Sequence, residues 1–158
     1  MIGFTPIGII HTPFPDPHDI PIQPTGGTGV EGTVEVFEPY REGLADLDGF
    51  SHVILLYHLH RSSGYEMRVV PYLDEVPRGL FATRTPRRPN PIGLSIVRLA
   101  RVEPGILHVE DLDVVDGTPL LDIKPYIPEL EPVDRVRVGW LEGLDHGFRE
   151  HRSNGRFA

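Results

Sequence analysis

The stretch GLFATRTPRRPNPIGLSIVRLAR, residues 79–101, carries five arginines, three prolines and no acid. Arginine forks read phosphate and carboxylate with two parallel hydrogen bonds. Asn90 offers a donor and an acceptor together, which suits the edge of a nucleobase. Pro86, Pro89 and Pro91 fix φ and disfavour helix before each of them. Residues 85–91 must therefore be an irregular, stiffened connection, with little entropy to lose on binding. Arg84, Arg87 and Arg88 project from it. The segment reads as an anion-binding loop, with a solvated turn as the plain alternative.

Residues 102–122 hold six acids and no Lys or Arg. A basic block followed by an acidic block fits a site with two faces, although two solvated strand edges would give the same charges. Asp111, Asp113 and Asp122 lie close to Lys124, the only lysine, in DLDVVDGTPLLDIKPY (111–126). Strand-end carboxylates bind ribose hydroxyls, an amino group or a cationic sulfonium. Asp116 stands before Gly117 and is equally a turn former. Lys124 is equally a salt-bridge partner for Asp122. His58 and His60 form an H-x-H pair with His52 on the same alternation. Such a set binds zinc when a third ligand joins it. No cysteine or H-x-x-E companion is present, so a stacking, hydrogen-bonding or core role is the preferred reading and no metal site is expected. Gly27 to Gly32 spell G-x-G-x-x-G, but a Pro-rich loop precedes them and a β-rich run follows. A dinucleotide fingerprint needs the opposite context.

These groups need elements to hold them. Residues 1–10 read as a strand. Residues 11–32, with five prolines and four glycines, read as a long loop. Thr33–Phe37 alternates like a strand, and residues 39–47 fit one or two helical turns with Pro39 near the start. Phe50–His60 reads as a buried strand, Arg68–Leu73 and Gly79–Arg84 as weaker ones, and Ile92–Val102 as a longer one. Glu103-Pro104-Gly105 is a hairpin turn into a strand over Ile106–Val115. Asp116 to Pro119 turn into Leu120–Lys124. Trp140, Leu141, Leu144 and Phe148 have near-helical spacing, weakened by three glycines between Arg137 and His151. Short strands with little helix predict an all-β or β-rich single-domain barrel, with short helical turns and an irregular C-terminal segment. The barrel is placed at residues 1–130, and residues 131–158 pack on it or extend it.

The 158 residues suffice for one domain with a real core. Net charge is −8, and 14 of the 15 cations are arginine. The absence of cysteine removes disulfides and thiol chemistry, and a reducing cytoplasm is the simplest compartment. No apolar run approaches the ~20 residues of a membrane span, and no signal peptide is read at the start.

GLFATRTPRRPNPIGLS (79–95) and DGTPLLDIKPY (116–126), at this separation, resemble the two signature blocks of the TsaA-like (TrmO) family. PIGIIHTPF (6–14), IPIQP (20–24) and FSHVILLYHLHR (50–61) are similar to its N-terminal blocks in the same order. The resemblance implies a β-barrel distinct from the Rossmann methyltransferases, S-adenosylmethionine as cofactor, and a homodimer. It implies methylation of the N6 nitrogen of threonylcarbamoyladenosine, next to the anticodon of tRNA. By motif, the cofactor-contacting positions are Pro21, Ile22, Gln23, His60, Arg61, Arg84, Leu94, Glu110, Asp111, Leu112 and Asp113. Ile22 stands where the family commonly has arginine. Asn90, Asp116, Lys124 and Tyr126 become the catalytic and base-holding candidates, with Asp116 or a bound water as proton acceptor. Arg87 and Arg88 become contacts to the tRNA. Two other readings compete: a barrel that binds the cofactor or a nucleotide without catalysis, and a methyltransferase for another substrate.

Overall fold

In the computed structural model, residues 1–20, 29–72, 74–130 and 133–143 are described. The strands are β1 (Gly8–His11), β2 (Glu31–Val36), β3 (His52–His58), β4 (Arg68–Val69), β5 (Arg78–Gly79), β6 (Ile92–Glu103), β7 (Ile106–Glu110) and β8 (Thr118–Pro125). Six of them close into a barrel in the order β1-β2-β7-β6-β3-β8, with every pairing antiparallel. β4 and β5 pair separately within the excursion between β3 and β6.

Alternation explains the core. Val34 and Val36, Val53, Leu55 and Tyr57, Val97 and Leu99, and Leu107 and Val109 occupy every second position of their strands and are buried together. Ile10 and Leu120 complete the set. Each such aliphatic side chain contributes about 1.5–3 kcal/mol on burial. Closure also needs bends. The β6–β7 register shifts between Leu99 and Arg101, and the β3–β8 register shifts between Leu56 and Tyr57. Such bulges increase local twist and curve the sheet.

Antiparallel pairing fixes which ends meet. The C-terminal ends of β1, β3 and β7 and the N-terminal ends of β2, β6 and β8 surround one mouth. The Pro104-Gly105 turn and the C-terminal end of β8 lie at the other end. Several expected elements are shorter than their sequence pattern: the strand expected over Arg68–Leu73 is confined to Arg68–Val69, and that over Phe50–His60 to His52–His58. The first strand is confined to Gly8–His11, since Ile2 and Phe4 are exposed. The strand from Ile106 stops at Glu110, where Asp111 turns to φ 70°. After Gly79 the chain coils into a 3₁₀ turn, Leu80–Ala82, instead of continuing as strand. Another 3₁₀ turn, Gly139–Leu141, is the helical structure described in the tail; Leu144 and Phe148 lie outside the described residues. Trp140 Nε1 donates to the Ala82 carbonyl at 2.7 Å, and the Arg78 guanidinium lies 5.6 Å from its ring centroid. The chain thus returns from the far end of β8 to the arginine-bearing excursion.

Gly32 is required by close approach. A Cβ there would sit 2.2 Å from Leu112 Cδ1 and 2.4 Å from the His11 carbonyl oxygen. Gly32→Ala is expected to lower unfolding free energy by about 1–3 kcal/mol through overpacking. Gly3→Ala, with nothing within 4 Å, is expected to change it by less than about 0.5 kcal/mol. Urea denaturation of both variants checks this.

Candidate functional site

The acidic block plugs the mouth of the barrel. Asp111 takes the left-handed conformation, which aspartate tolerates better than most residues. Its N–H donates to the Val30 carbonyl at 2.9 Å, and its Oδ1 accepts from Gly29 N at 2.7 Å. The turn drives Leu112, Val114 and Val115 into the core. Thr12 holds the other side: its Oγ1 donates to the Val114 carbonyl at 2.8 Å, and its N–H donates to Asp116 Oδ1 at 3.0 Å. The Asp116 N–H donates to the Phe14 carbonyl at 2.7 Å. Asp111 and Asp116 are therefore latches that tie the loop after β1 to the plug.

Asp113 faces inward between them. Ser95 Oγ donates to its Oδ1 at 2.5 Å, and Tyr57 Oη lies 2.7 Å from Ser95 Oγ. Ser95 has one hydroxyl hydrogen and gives it to the carboxylate, so Tyr57 is the donor to Ser95. Gly93 makes room for this chain, since a Cβ there would lie 2.1 Å from Tyr57 Cε2. Burial pushes the Asp113 carboxyl up to about 7, against the opposing effects of the Ser95 hydrogen bond and the Arg84 charge. Burial, with the Asp113 charge second, raises the Tyr57 phenol.

This has a stability consequence with a defined sign. The folded-state value of about 7 exceeds the ordinary 3.8, so between them the folded protein binds more protons than the unfolded chain. The contribution is fully present below 3.8 and is lost as pH rises through 7. Its slope is at most about 1.4 kcal/mol per pH unit. Asp113→Asn is expected to remove this pH-dependent component, read as the difference between the denaturation profiles of the two proteins from about pH 5 to about pH 8.

The basic block lies on the rim. Arg88 Nη1 donates to the Thr83 and Thr85 carbonyls at 2.9 and 3.2 Å, and its guanidinium lies 5.8 Å from the centroid of exposed Phe81. Arg87 Nε donates to the Ser63 carbonyl at 3.0 Å. Both arginines brace the bend that carries them. Exposed Arg84 is close enough to act electrostatically on Asp113 and Tyr57. Exposed Asn90 precedes β6. His60 lies in the turn after β3, and its Nδ1 is buried with no hydrogen-bond partner among the described residues. Burial, assisted by His58 and Arg61, lowers its pKa and favours the neutral ring. Arg61 Nη1 reaches the Pro15 carbonyl at 3.4 Å.

The remaining candidates separate. Glu110 points outward and pairs with Arg98 at 2.6 Å, which leaves its backbone at the mouth. The Leu94 side chain stands half exposed on the outer wall, and Leu112 is fully buried. Pro21, Ile22 and Gln23 lie outside the described residues. Lys124 and Tyr126 are not brought to the mouth, because β8 carries them to the other end of the barrel. Lys124 sits opposite Ile54, and the Tyr126 N–H donates to the His52 carbonyl at the start of β3. Lys124 Nζ pairs with Asp122 Oδ2 at 2.9 Å, and the Tyr126 ring meets His52 edge-on at 6.4 Å. The same geometry separates His52 from His58, and among the described residues no group of acids and histidines is placed to hold a metal ion. Sequence reasoning missed Tyr57, Ser95 and Phe81. A serine on the inward phase of β6, facing an inward tyrosine on β3, was the available signal.

Among the described residues, the mouth therefore presents a guanidinium, a partly buried carboxyl and an unpartnered buried imidazole nitrogen. Such a donor set fits a ligand with both anionic and cationic groups and hydrogen-bonding edges, as S-adenosylmethionine has. The sequence matches the family described as the tRNA-methyltransferase O N-terminal domain over residues 9–132. It is similar to a probable S-adenosyl-L-methionine-binding protein of Pyrococcus abyssi, with 53% identity covering 99% of this chain and 85% of that protein. It is similar to the tRNA (adenine(37)-N6)-methyltransferase of Escherichia coli, with 38% identity over 88% of this chain. The crystal structure of TrmO from Pseudomonas aeruginosa superposes with a TM-score of 0.77 at 37% identity, over 92% of this chain. The chain spans 63% of the Escherichia coli protein and 65% of the Pseudomonas aeruginosa chain.

Proposed function

Because the chain belongs to the tRNA-methyltransferase O N-terminal domain family, we propose that it is an S-adenosylmethionine-dependent methyltransferase. Its substrate is the N6 nitrogen of threonylcarbamoyladenosine beside the anticodon of tRNA. The observation that carries this reading is the 2.5 Å hydrogen bond from Ser95 to Asp113. It joins the basic block to the acidic block at one mouth. S-adenosylmethionine supplies an electrophilic methyl group. Arg84 holds its carboxylate, neutral His60 offers Nδ1 to a donor hydrogen, and the backbone of residues 110–113 and of Leu94 lines the remainder. By the family resemblance, Pro21, Ile22, Gln23 and Arg61 are further donor-contacting positions.

Arg87, Arg88 and Asn90 meet the RNA, where phosphate contacts supply much of the affinity. An overall charge of −8 makes that contact local. Exposed Phe81, flanked by Arg88, adds a stacking surface for an unpaired base. Phe81→Ala is expected to weaken tRNA binding about tenfold and to leave donor affinity unchanged, as read by filter binding and calorimetry.

The protein acts as a homodimer in this reading. Ile92 and Leu94 expose apolar surface on the outer wall, and only a second copy can bring Lys124 and Tyr126 to a mouth. A chain without cysteine suits the cytoplasm; among the described residues no helix is long and apolar enough to cross a membrane.

The test is incubation with methyl-labelled donor and tRNA carrying the unmethylated nucleoside, followed by mass spectrometry of the nucleosides. One methyl group on the modified adenosine is expected. A second reading, donor binding without transfer, is favoured by the Pyrococcus relative, which is named for binding and matches along 99% of this chain. Saturable binding with no label in the RNA would establish it instead.

A further inference from the structure

Building on the methyltransferase reading, we propose that Asp113 is the proton acceptor of the reaction and that Tyr57 and Ser95 form a donor chain that positions it. Transfer forms the bond between nitrogen and methyl carbon and breaks the bond between sulfur and methyl carbon, with the electron pair leaving on sulfur. The nitrogen must also lose its proton, and Asp113 Oδ2 receives it.

The neighbouring carboxylates of the same segment, Glu110, Asp111 and Asp116, are committed elsewhere. Asp111 Oδ1 holds Gly29 N, and Asp116 Oδ1 holds Thr12 N, with His11 Nδ1 at 3.6 Å. Glu110 pairs with Arg98 on the outer wall. Asp113 differs because its surroundings are the barrel interior. Leu112 and Val114 are buried on either side of it, and its Oδ1 takes the Ser95 hydrogen. A carboxyl so placed has the raised affinity for a proton that a base working near neutral pH requires.

The donor chain has a direction. Tyr57 donates to Ser95 and Ser95 donates to Asp113, so neither can take the proton that arrives. The chain engages the carboxyl through Oδ1, and Oδ2 is the oxygen it does not use. Its inner end is locked, since Tyr57 is buried with its ring against Gly93. Among the described residues, the groups that act on Asp113 are Ser95 of β6, Tyr57 of β3 and Arg84 of the bend. Ser95 and Arg84 favour the carboxylate, and burial opposes it.

The test is single-turnover methyl transfer to tRNA across pH, with donor affinity measured by calorimetry on the same proteins. Wild type is expected to lose rate on the acid side with a midpoint near 7. Asp113→Asn is expected to slow transfer about 10²–10⁴-fold while donor affinity stays within about twofold. Ser95→Ala removes a donor to the carboxylate and is expected to move the acid limb up by about one pH unit. Tyr57→Phe keeps the ring and moves the limb less, in the same direction. A folding role alone would lower the rate at every pH and leave the midpoint in place, which would overturn the proposal. So would full turnover by Asp113→Asn, or a parallel loss of donor affinity in that variant. If Asp113→Asn fails to fold, the Ser95→Ala midpoint decides. Absence of transfer by wild type removes the methyltransferase reading and this one together. Transfer by wild type and by Asp113→Asn alike removes only this one.

Discussion

Leu112→Ala is expected to lower unfolding free energy by about 3 kcal/mol, within the ~2–5 kcal/mol range for truncating a buried leucine. Leu112 is fully buried in the barrel core and packs where Gly32 leaves room for its Cδ1. Few natural domains exceed about 5–15 kcal/mol in total stability, so the variant gives up a large share. The functional effect is expected to be larger still. Leu112 is the anchor between Asp111, which latches the loop after β1, and Asp113, which faces inward from the plug. Loosening that anchor frees both. Donor binding is expected to fall beyond calorimetric detection while circular dichroism still reports a folded β protein at low temperature. Urea denaturation measures the stability change. Retention of full donor affinity would mean that the plug contributes packing alone.

Arg84→Ala is expected to weaken donor binding about tenfold to a hundredfold, the effect of removing a charge-assisted hydrogen bond of about 1.5–3 kcal/mol. The residue is exposed, so stability is expected to change by less than about 0.5 kcal/mol. Arg84→Lys is expected to recover part of the affinity, since an ammonium keeps the charge but lacks the planar fork. Calorimetry against the donor and against its demethylated product checks both variants. The two ligands share the carboxylate, so the loss is expected to be similar for each. A loss seen only with the methylated donor would place Arg84 near the sulfonium instead.

Much of the fold was legible because the barrel strands carry period-two patterns and sharp punctuation. Pro104-Gly105 and Asp116-Gly117 marked two turns, and the run Phe50–His60 read as a buried strand because it is rich in β-branched and aromatic residues. The segment after Glu110 misled for a physical reason. Leu112, Val114 and Val115 are as apolar as a strand, yet they enter the core after a left-handed turn at Asp111. Nothing local distinguishes a plug from a strand. The placement of Lys124 and Tyr126 was hidden for another reason. They sit only eight and ten residues after Asp116, but an extended strand carries them to the opposite end of the barrel. The Tyr57–Ser95–Asp113 chain joins three segments far apart in sequence. No spacing rule announces it, and only the polar type of Ser95 on an inward phase hinted at it.

The threonine that fastens the plug reaches far along the chain, since its two contacts join residues 104 and 102 positions apart. Contacts of such separation form late and slow the search for the native state. A nascent chain that has emerged only through β6 lacks the partner its first loop needs. Competence to hold a ligand therefore arrives at ring closure, and a truncated translation product is inert rather than partly active.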